Sequence, residues 1–208
     1  MKKLFCIILI ISLILTISAC VPKEEITADA KPVIYLYPEK ETEISVTLDY
    51  SGKITTTYPK YQNGWHVTAS PDGKLTDADG KEYNYLYWEG IPNTQYDFSE
   101  GFCISGEDTA TFLEDALSKI GLNRREANEF IVYWLPLMES NPYNLISFQE
   151  KAYTDAAKLN ITPTPDTLIR VFMAWKPLEE PITIKSQDLT APERNGFTVI
   201  EWGGAEIK

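Results

Sequence analysis

Residues 83–90 read YNYLYWEG, and the two faces of this short aromatic stretch determine which other parts of the fold must cover it. In a β-strand, successive side chains point to opposite faces, so Tyr83, Tyr85 and Tyr87 share one face. Leu86 and Trp88 share the other face and are predicted to pack inward. The tyrosine row is then either covered by a further layer of the protein or exposed as an aromatic strip.

The sequence on either side predicts short strands separated by turns, which is typical of an antiparallel meander. Before this stretch, strand patterns lie at 31–38, 43–48, 54–58 and 65–69. Asn63-Gly64 predicts a hairpin turn between the last two of these strands. After residue 140, strand patterns lie at 145–148, 168–175, 182–184 and 197–200, while 151–161 fits either a helix or a strand. The run at 168–175 is the most apolar and is predicted to lie centrally.

Two amphipathic helices are predicted within residues 108–139. Apolar residues at 109–120 fall on a single helical stripe. Asn123 and Glu126 form a capping-box pattern at the start of the second helix, and Pro136 is expected to end or kink it. Such helices need a sheet surface to cover, which favours a covered tyrosine row. The predicted fold is therefore α+β: an antiparallel β-sandwich or curved sheet with an inserted αα-hairpin.

The first twenty residues, MKKLFCIILIISLILTISAC, predict export. The apolar run from residue 4 to residue 17 is too short to cross a hydrocarbon layer, which needs about 20 residues. Its length, the basic residues before it and the small residues after it are typical of a secretory signal peptide. The ending Ile17-Ser18-Ala19-Cys20 resembles the bacterial lipobox, in which the cysteine receives fatty acyl chains such as palmitate and becomes the new N-terminus.

These features divide the chain into a signal peptide at 1–19, a lipidated Cys20 with a tether at 20–31, and one globular domain at 32–208. Two acyl chains make such an anchor stable. We therefore expect a lipoprotein on the extracytoplasmic face of the cell membrane, with the membrane as its first partner. Cys6 leaves with the signal peptide and Cys20 is acylated, so Cys103 has no cysteine with which to form an intramolecular disulfide.

The chain is acidic, with 30 Asp and Glu against 19 Lys and Arg and a formal net charge of −11. Nucleic acid phosphates repel such a surface, so nucleic acid is not expected as a partner. The hydrophobic content of 44% is that of a folded globular protein.

The sequence assigns no catalytic residue, no metal site and no cofactor. Cys103 and His66 are the only thiol and imidazole of the mature domain, but His66 is predicted to face solvent and Cys103 lacks a nucleophile motif. Asp77-Ala78-Asp79-Gly80 resembles part of a calcium loop, although a turn explains it better. A pair of carboxylates beside aromatic residues would suit glycan hydrolysis. The candidates for such a pair are Glu89, Asp97, Glu100 and Glu139.

Several segments together resemble a family of uncharacterised bacterial lipoproteins and exported proteins. They include KPVIYLYP at 31–38, YNYLYWEG at 83–90 and GFTVIEWG at 196–203. The resemblance covers almost the whole mature chain and implies a single exported domain. It implies no activity.

We therefore predict a lipid-anchored surface protein, a non-enzymatic module that binds an envelope or extracellular ligand, either a glycan or a peptide. The expected ligand-binding residues are Trp65, Tyr83, Tyr85, Tyr87 and Glu89. One alternative is a carboxylate-dependent glycan hydrolase. Another is a structural or assembly lipoprotein whose ligand is a protein.

Overall fold

The computed structural model describes residues 28–207. The strands in chain order are β1 (Ala30–Tyr37), β2 (Thr42–Tyr50), β3 (Gly52–Tyr58), β4 (Trp65–Ala69), β5 (Leu75–Thr76), β6 (Glu82–Tyr83), β7 (Leu86–Pro92), β8 (Phe102–Ser105), β9 (Tyr143–Phe148), β10 (Ala157–Thr162), β11 (Thr167–Leu178) and β12 (Thr198–Glu206). The helices are α1 (Thr109–Lys119), α2 (Arg124–Met138) and α3 (Lys151–Ala156). The predicted signal peptide and Cys20 lie outside the described residues. Within 28–207, no helix is both long enough and apolar enough to cross a membrane.

The strands form two sheets, and with the helices they make a β-rich α+β fold. One sheet has seven strands in the order β3-β7-β1-β12-β11-β9-β8, and the other has five in the order β10-β2-β4-β5-β6. β11, which contains the most apolar run, lies between β12 and β9, as predicted for a central strand.

Strand pairing is antiparallel except between β11 and β12, which run parallel. The prediction of an antiparallel sheet is wrong for this pair. Parallel neighbours need a connection that returns the chain to the same end of the sheet, and residues 179–197 provide it without forming a strand. The strand predicted at 182–184 is therefore absent. Ile182 is exposed and has no buried face to occupy, and only Lys185 pairs, in an isolated bridge with Glu100.

The opening stretch is not one continuous strand. β6 belongs to the five-stranded sheet and β7 to the seven-stranded sheet, so the chain crosses from one sheet to the other at Asn84–Tyr85. Tyr83 is thereby separated from Tyr87, although the two were predicted to share a face. Leu86 and Trp88 are fully buried, as predicted.

The prediction that the turn at Asn63-Gly64 joins two paired strands of a hairpin is also wrong. β3 pairs with β7 in the seven-stranded sheet, while β4 pairs with β2 in the other sheet. Gly64 still supplies a turn, with a φ of 138°, but the turn joins strands of different sheets. Local turn chemistry cannot tell whether the chain returns to the same sheet.

Both helices of the predicted hairpin are present. The capping box is confirmed, because Asn123 Oδ1 accepts from the backbone N–H of Glu126 and Glu126 Oε2 accepts from that of Asn123. Pro136 does not end α2, which continues to Met138. Pro136 lies in the last turn of the helix. Because only two helical residues follow it, the backbone hydrogen bond that proline cannot donate is lost at the end of the helix and not in its middle. The ambiguous segment at 151–161 contains both elements, α3 and then β10.

Two hydrophobic cores hold these elements together. Both sheets contribute to the first core, which includes Leu36, Val46, Trp65, Trp88 and Val199. The seven-stranded sheet and the helical hairpin form the second core, which includes Tyr35, Leu117, Phe130, Trp134 and Trp202. Alternate residues of β1 enter different cores because a strand projects successive side chains to opposite faces. The helices α1 and α2 therefore cover the face of the seven-stranded sheet that lies opposite the first core, whereas Tyr153 of α3 packs in the first core.

The folded body begins earlier than predicted. Asp29 is only 1% exposed, and its backbone exchanges hydrogen bonds of 2.9 and 3.2 Å with Gly90. Ala30 and Lys31 already belong to β1. The tether predicted at 20–31 therefore extends too far, because its polar composition does not reveal that Asp29 is buried.

Candidate functional site

Three tyrosines from separate parts of the chain converge on the helix-covered side of the seven-stranded sheet. Tyr85 follows β6, Tyr87 lies in β7 and Tyr133 lies in α2. Tyr85 and Tyr87 are half-buried against the second core, and Tyr133 is 36% exposed. We call these three residues the tyrosine platform. The rings of Tyr85 and Tyr87 are held by the core and yet remain partly open to solvent, and the more exposed ring of Tyr133 lies against Trp134.

Lys31 lies over all three rings of the platform. Its Nζ is 5.6 Å from the ring centroid of Tyr85 and 5.5 Å from those of Tyr87 and Tyr133. An ammonium within about 6 Å of an aromatic ring is attracted by the negative face of that ring. Three such contacts fix the platform and Lys31 relative to one another.

Tyr35 supports the platform from below. Its ring meets that of Tyr85 edge to face at a centroid distance of 5.3 Å. Its hydroxyl donates to Glu129 Oε2 of α2 at 2.7 Å, which ties the sheet to the helix. Burial, followed by the hydrogen bond to Glu129, raises the pKa of Tyr35 well above its usual range.

Glu89 places a carboxylate beside the platform. Burial raises the pKa of Tyr87, and hydrogen bonding to Glu89 raises it further. Burial and the charge of Glu89 likewise raise the pKa of Tyr133. Tyrosine hydroxyls are protonated at neutral pH in any case, so the platform hydroxyls can donate hydrogen bonds, and that of Tyr87 already donates to Glu89. The site thus offers aromatic faces, hydroxyl donors and one carboxylate acceptor.

The exposed face of α2 extends this surface with apolar side chains. Leu137, one helical turn beyond Tyr133, is 50% exposed, and Val132 is also exposed. The combination of aromatic, apolar and hydrogen-bonding groups suits the weakly polar faces and hydroxyl edges of a sugar ring.

Two of the predicted ligand residues lie elsewhere. Trp65 is only 3% exposed in the first core, and its Nε1 donates to the carbonyl of Pro59 at 2.8 Å. Tyr83 donates to Asp77 Oδ2 at 2.7 Å, which raises its pKa to about 12. Trp65 and Tyr83 border a separate cleft of about 490 Å³ together with His66. The predicted set is therefore divided into two groups, with Tyr85, Tyr87 and Glu89 at the platform and Trp65 and Tyr83 at the cleft.

The carboxylates proposed for glycan hydrolysis are also dispersed. Glu89 lies in β7, whereas Asp97 accepts a hydrogen bond from Ser147 of β9 through its carbonyl. Four strand spacings separate β7 from β9, which is about 19 Å across the sheet. Glycosidase carboxyl groups are at most about 10 Å apart. Glu89 and Asp97 are therefore too distant to act on one glycosidic bond.

The remaining carboxylates of that set have structural surroundings. Hydrogen bonds from the hydroxyl and backbone N–H of Ser99 lower the pKa of Asp97, whereas a general acid needs a raised pKa. Glu100 forms an ion pair with Lys185. Glu139 is the exposed C-cap of α2.

The other sequence candidates do not assemble into a site. Cys103 lies in β8 and His66 in β4, which belong to different sheets. His66 is exposed, as predicted, and its Nδ1 lies 2.9 Å from Ser45 Oγ. Asp77 accepts from the backbone N–H groups of Asp79 and Lys81, which is a turn. Among residues 28–207, no three His, Cys, Asp or Glu side chains are grouped to hold a metal ion.

A buried polar cluster between the sheets escaped the sequence analysis. Asp29 accepts hydrogen bonds from the hydroxyls of Tyr50, at 2.7 Å, and Tyr96. Burial raises the pKa of Asp29 to about 6, despite these two donors, and the charge of Glu201 contributes to the rise. No periodicity in the polar run around Asp29 indicates this burial.

The second half of this cluster is an ion pair across the parallel strands. Arg170 Nε donates to Glu201 Oε2 at 2.7 Å, and its Nη2 lies 2.6 Å from the same oxygen without alignment for a hydrogen bond. Trp88 Nε1 donates to the other carboxylate oxygen at 3.1 Å. Arg170 is the single charged residue in the apolar run 168–175, and Glu201 is the single charged residue in 197–203. These opposite charges in two apolar strands were the sequence signal that could have identified the pair.

Comparison with curated proteins finds a similar sequence. Over 65 residues the chain is 52% identical to the uncharacterised protein in the bglA 3′ region of Butyrivibrio fibrisolvens. The aligned segment covers 30% of this chain and 67% of that protein. No protein-family profile matches the chain, and no solved structure matches it.

Proposed function

We propose that this chain, which belongs to the same family as the Butyrivibrio fibrisolvens protein, is a lipid-anchored, extracytoplasmic module that binds a glycan on its tyrosine platform. The family, as its sequence motifs suggest, is one of exported lipoproteins. The proposal includes no catalytic step. Its ligand is held by stacking and hydrogen bonding alone.

In this proposal the two sheets form a sandwich whose outer face carries the helical hairpin. The sharing of one core by β2, β4, β7 and β12 supports this arrangement. A rigid sandwich would hold Tyr87 in place on one side while α2 holds Tyr133 on the other. Rigid elements position a binding surface better than loops do.

The observation that carries the proposal is the convergence of Tyr85, Tyr87 and Tyr133 around Lys31 at an open surface. Tyrosine has two side-chain torsions and loses little conformational entropy on binding. Packing against the second core has already fixed the rings of Tyr85 and Tyr87, so most of their side-chain entropy is lost during folding. A sugar ring can then stack on the platform at low entropic cost.

The expected location follows from the N-terminal sequence and from where the fold begins. If Cys20 carries the lipid, residues 20–28 separate the membrane from the buried residue Asp29. Nine extended residues span at most about 30 Å. The platform is therefore kept close to the cell surface, where envelope and extracellular glycans are found.

A glycan array tests the proposal with the full-length protein in detergent. We expect binding to at least one glycan class, and about tenfold weaker binding for Tyr85→Leu or Tyr87→Leu. Tyr143→Leu is the matched control, because this half-buried tyrosine lies in β9, far from the platform. Binding to no glycan, with binding to a protein partner instead, would favour a structural or assembly lipoprotein.

A further inference from the structure

The group that the platform holds in this structure is an ammonium. Lys31 Nζ lies at nearly equal distances, 5.5 to 5.6 Å, from the three ring centroids. Rings from a loop, a strand and a helix surround it, as in the aromatic cages that bind ammonium ligands. The occupant belongs to the chain itself, and it fills the surface on which we expect the glycan to stack.

The backbone of Lys31 is in an unusual conformation. Its φ is 60°, in the left-handed region that residues other than glycine rarely adopt. The following residue is Pro32, which ordinarily holds the preceding residue extended. The register of β1 against β12 shifts between Ala30 and Val33, so Lys31 lies in an irregular part of the strand. Such outliers are found at functional sites more often than elsewhere.

The charges around the platform also favour a cation. Glu89 of β7 acts on the hydroxyls of Tyr87 and Tyr133. Glu129 of α2 lies behind the platform, where its Oε1 is 3.4 Å from Arg125 Nε. Arg125 therefore offsets Glu129, which leaves Glu89 as the carboxylate beside the hydroxyls of the platform.

We propose that the tyrosine platform is a cage for an ammonium group, that its glycan ligand carries free amino sugars, and that Lys31 is an internal occupant which this ligand displaces. The inference rests on the proposed glycan-binding function. An amino sugar carries the ammonium directly on a pyranose ring, so one ligand unit uses both the stacking faces and the carboxylate of the site. Lys31 and the ligand then compete for one position. The apparent affinity for the ligand is the intrinsic affinity multiplied by the fraction of time that Lys31 leaves the cage free.

Oligomers of β-1,4-linked glucosamine and their fully N-acetylated counterparts test the proposal by calorimetry on the full-length protein. The two share a backbone and differ in the ammonium. We expect the glucosamine oligomer to bind at least tenfold more tightly. Equal binding of both would overturn the ammonium assignment and leave the glycan-binding function standing. Binding of neither would overturn the inference, and the array would then decide the glycan-binding function separately.

Trilysine, which carries the same ammonium without a pyranose ring, is expected to bind at least tenfold more weakly than the glucosamine oligomer. Equal or tighter binding would overturn the assignment to an amino sugar.

Lys31→Met removes the internal ammonium and keeps an unbranched stem. If Lys31 fills the cage nine-tenths of the time, this variant binds the glucosamine oligomer about tenfold more tightly. Lys158→Met is the control, because Lys158 is exposed on β10. Unchanged or weaker binding by Lys31→Met would overturn the displacement.

A measurement on the unaltered chain keeps the test independent of the variants. A trace amount of an amine-reactive ester, too little to acylate an appreciable fraction of the ligand's own amines, followed by mass spectrometry reports how accessible each lysine is relative to the others. We expect Lys31 to react slowly in the free protein and several-fold faster with the glucosamine oligomer bound, while Lys158 is unchanged. Slower reaction of Lys31 in the complex would show that the ligand covers it and does not displace it.

Discussion

The carboxylate of Asp29 lies 2.7 Å from the hydroxyl of Tyr50 in the protein interior, one residue before the first strand begins. Asp29 therefore belongs to the folded body, although it precedes the first strand. Its backbone pairs with Gly90 and its side chain is held by Tyr50 and Tyr96. A buried acid consequently lies within the segment that the sequence predicted to be a tether.

The free energy of unfolding is expected to depend on pH through Asp29. Its pKa is raised from 3.8 to about 6 in the folded state, chiefly by burial. Between these values the folded protein binds more protons than the unfolded chain, so stability decreases as pH rises from about 4 to 6 and then levels. The shift corresponds to about 3 kcal/mol. Urea unfolding at pH 4 to 8 measures this dependence.

Asp29→Asn provides the comparison for that measurement. The amide does not titrate, so the difference in unfolding free energy between the two proteins should change by about 2 kcal/mol between pH 4 and pH 7. Glu201, whose charge acts on Asp29, is present in both proteins. A constant difference across this pH range would show that Asp29 does not titrate in the folded state as described.

Breaking the ion pair between Arg170 and Glu201 is expected to lower the free energy of unfolding. Their side chains are 7% and 0% exposed. Glu201→Gln should reduce the free energy of unfolding by about 3 to 5 kcal/mol, because a buried guanidinium then loses its counter-charge. Combining Arg170→Met with Glu201→Leu removes both charges and should recover most of that loss.

Asp155→Asn is the matched control for this prediction. It breaks the exposed ion pair with Lys151 and should cost less than about 1 kcal/mol. If Glu201→Gln cost no more than this control, the buried pair would have no special role in stability.

Trp65 and Tyr85, both predicted as ligand residues, should now behave differently on substitution. Trp65→Ala leaves a cavity in the first core and should cost about 3 to 5 kcal/mol of stability while the folded fraction still binds glycan. Tyr85→Leu should weaken binding with a smaller loss of stability, because Tyr85 is half-buried. Unfolding and binding measured on the same samples separate the two roles. If folded Trp65→Ala lost glycan binding, Trp65 would belong to the ligand-binding site after all.

Membrane attachment should depend on Cys20. Cys20→Ala is expected to release the protein from membranes and to abolish incorporation of labelled fatty acid. Cys103→Ala, which removes the free cysteine of β8, should leave both unchanged. Continued acyl labelling of Cys20→Ala would refute the assignment of the lipobox.

Patterns that depend on near neighbours in the sequence predicted the structure well. The capping box at Asn123 and Glu126 fixed the start of α2, and alternation placed Leu86 and Trp88 in the core. These features rest on hydrogen bonds or side-chain directions within a few residues. They do not depend on which strand lies alongside.

Long-range pairing could not be predicted in the same way. The turn at Asn63-Gly64 carries no information about which sheet β4 joins, and nothing in 179–197 predicts a parallel return. The platform was found only in part for the same reason. Tyr85, Tyr87 and Glu89 are close in sequence, whereas Lys31 and Tyr133 come from distant segments that the fold brings to them.

The central claim is that the tyrosine platform is the ligand-binding face, and hydroxyl-radical footprinting with a glycan identified on the array tests it most directly. We predict that bound glycan reduces the oxidation of Tyr85, Tyr87 and Tyr133 several-fold. The control Tyr143 should be oxidised equally with and without glycan. Unchanged oxidation of the platform, together with protection of Tyr83 in the cleft beside Trp65, would contradict the account.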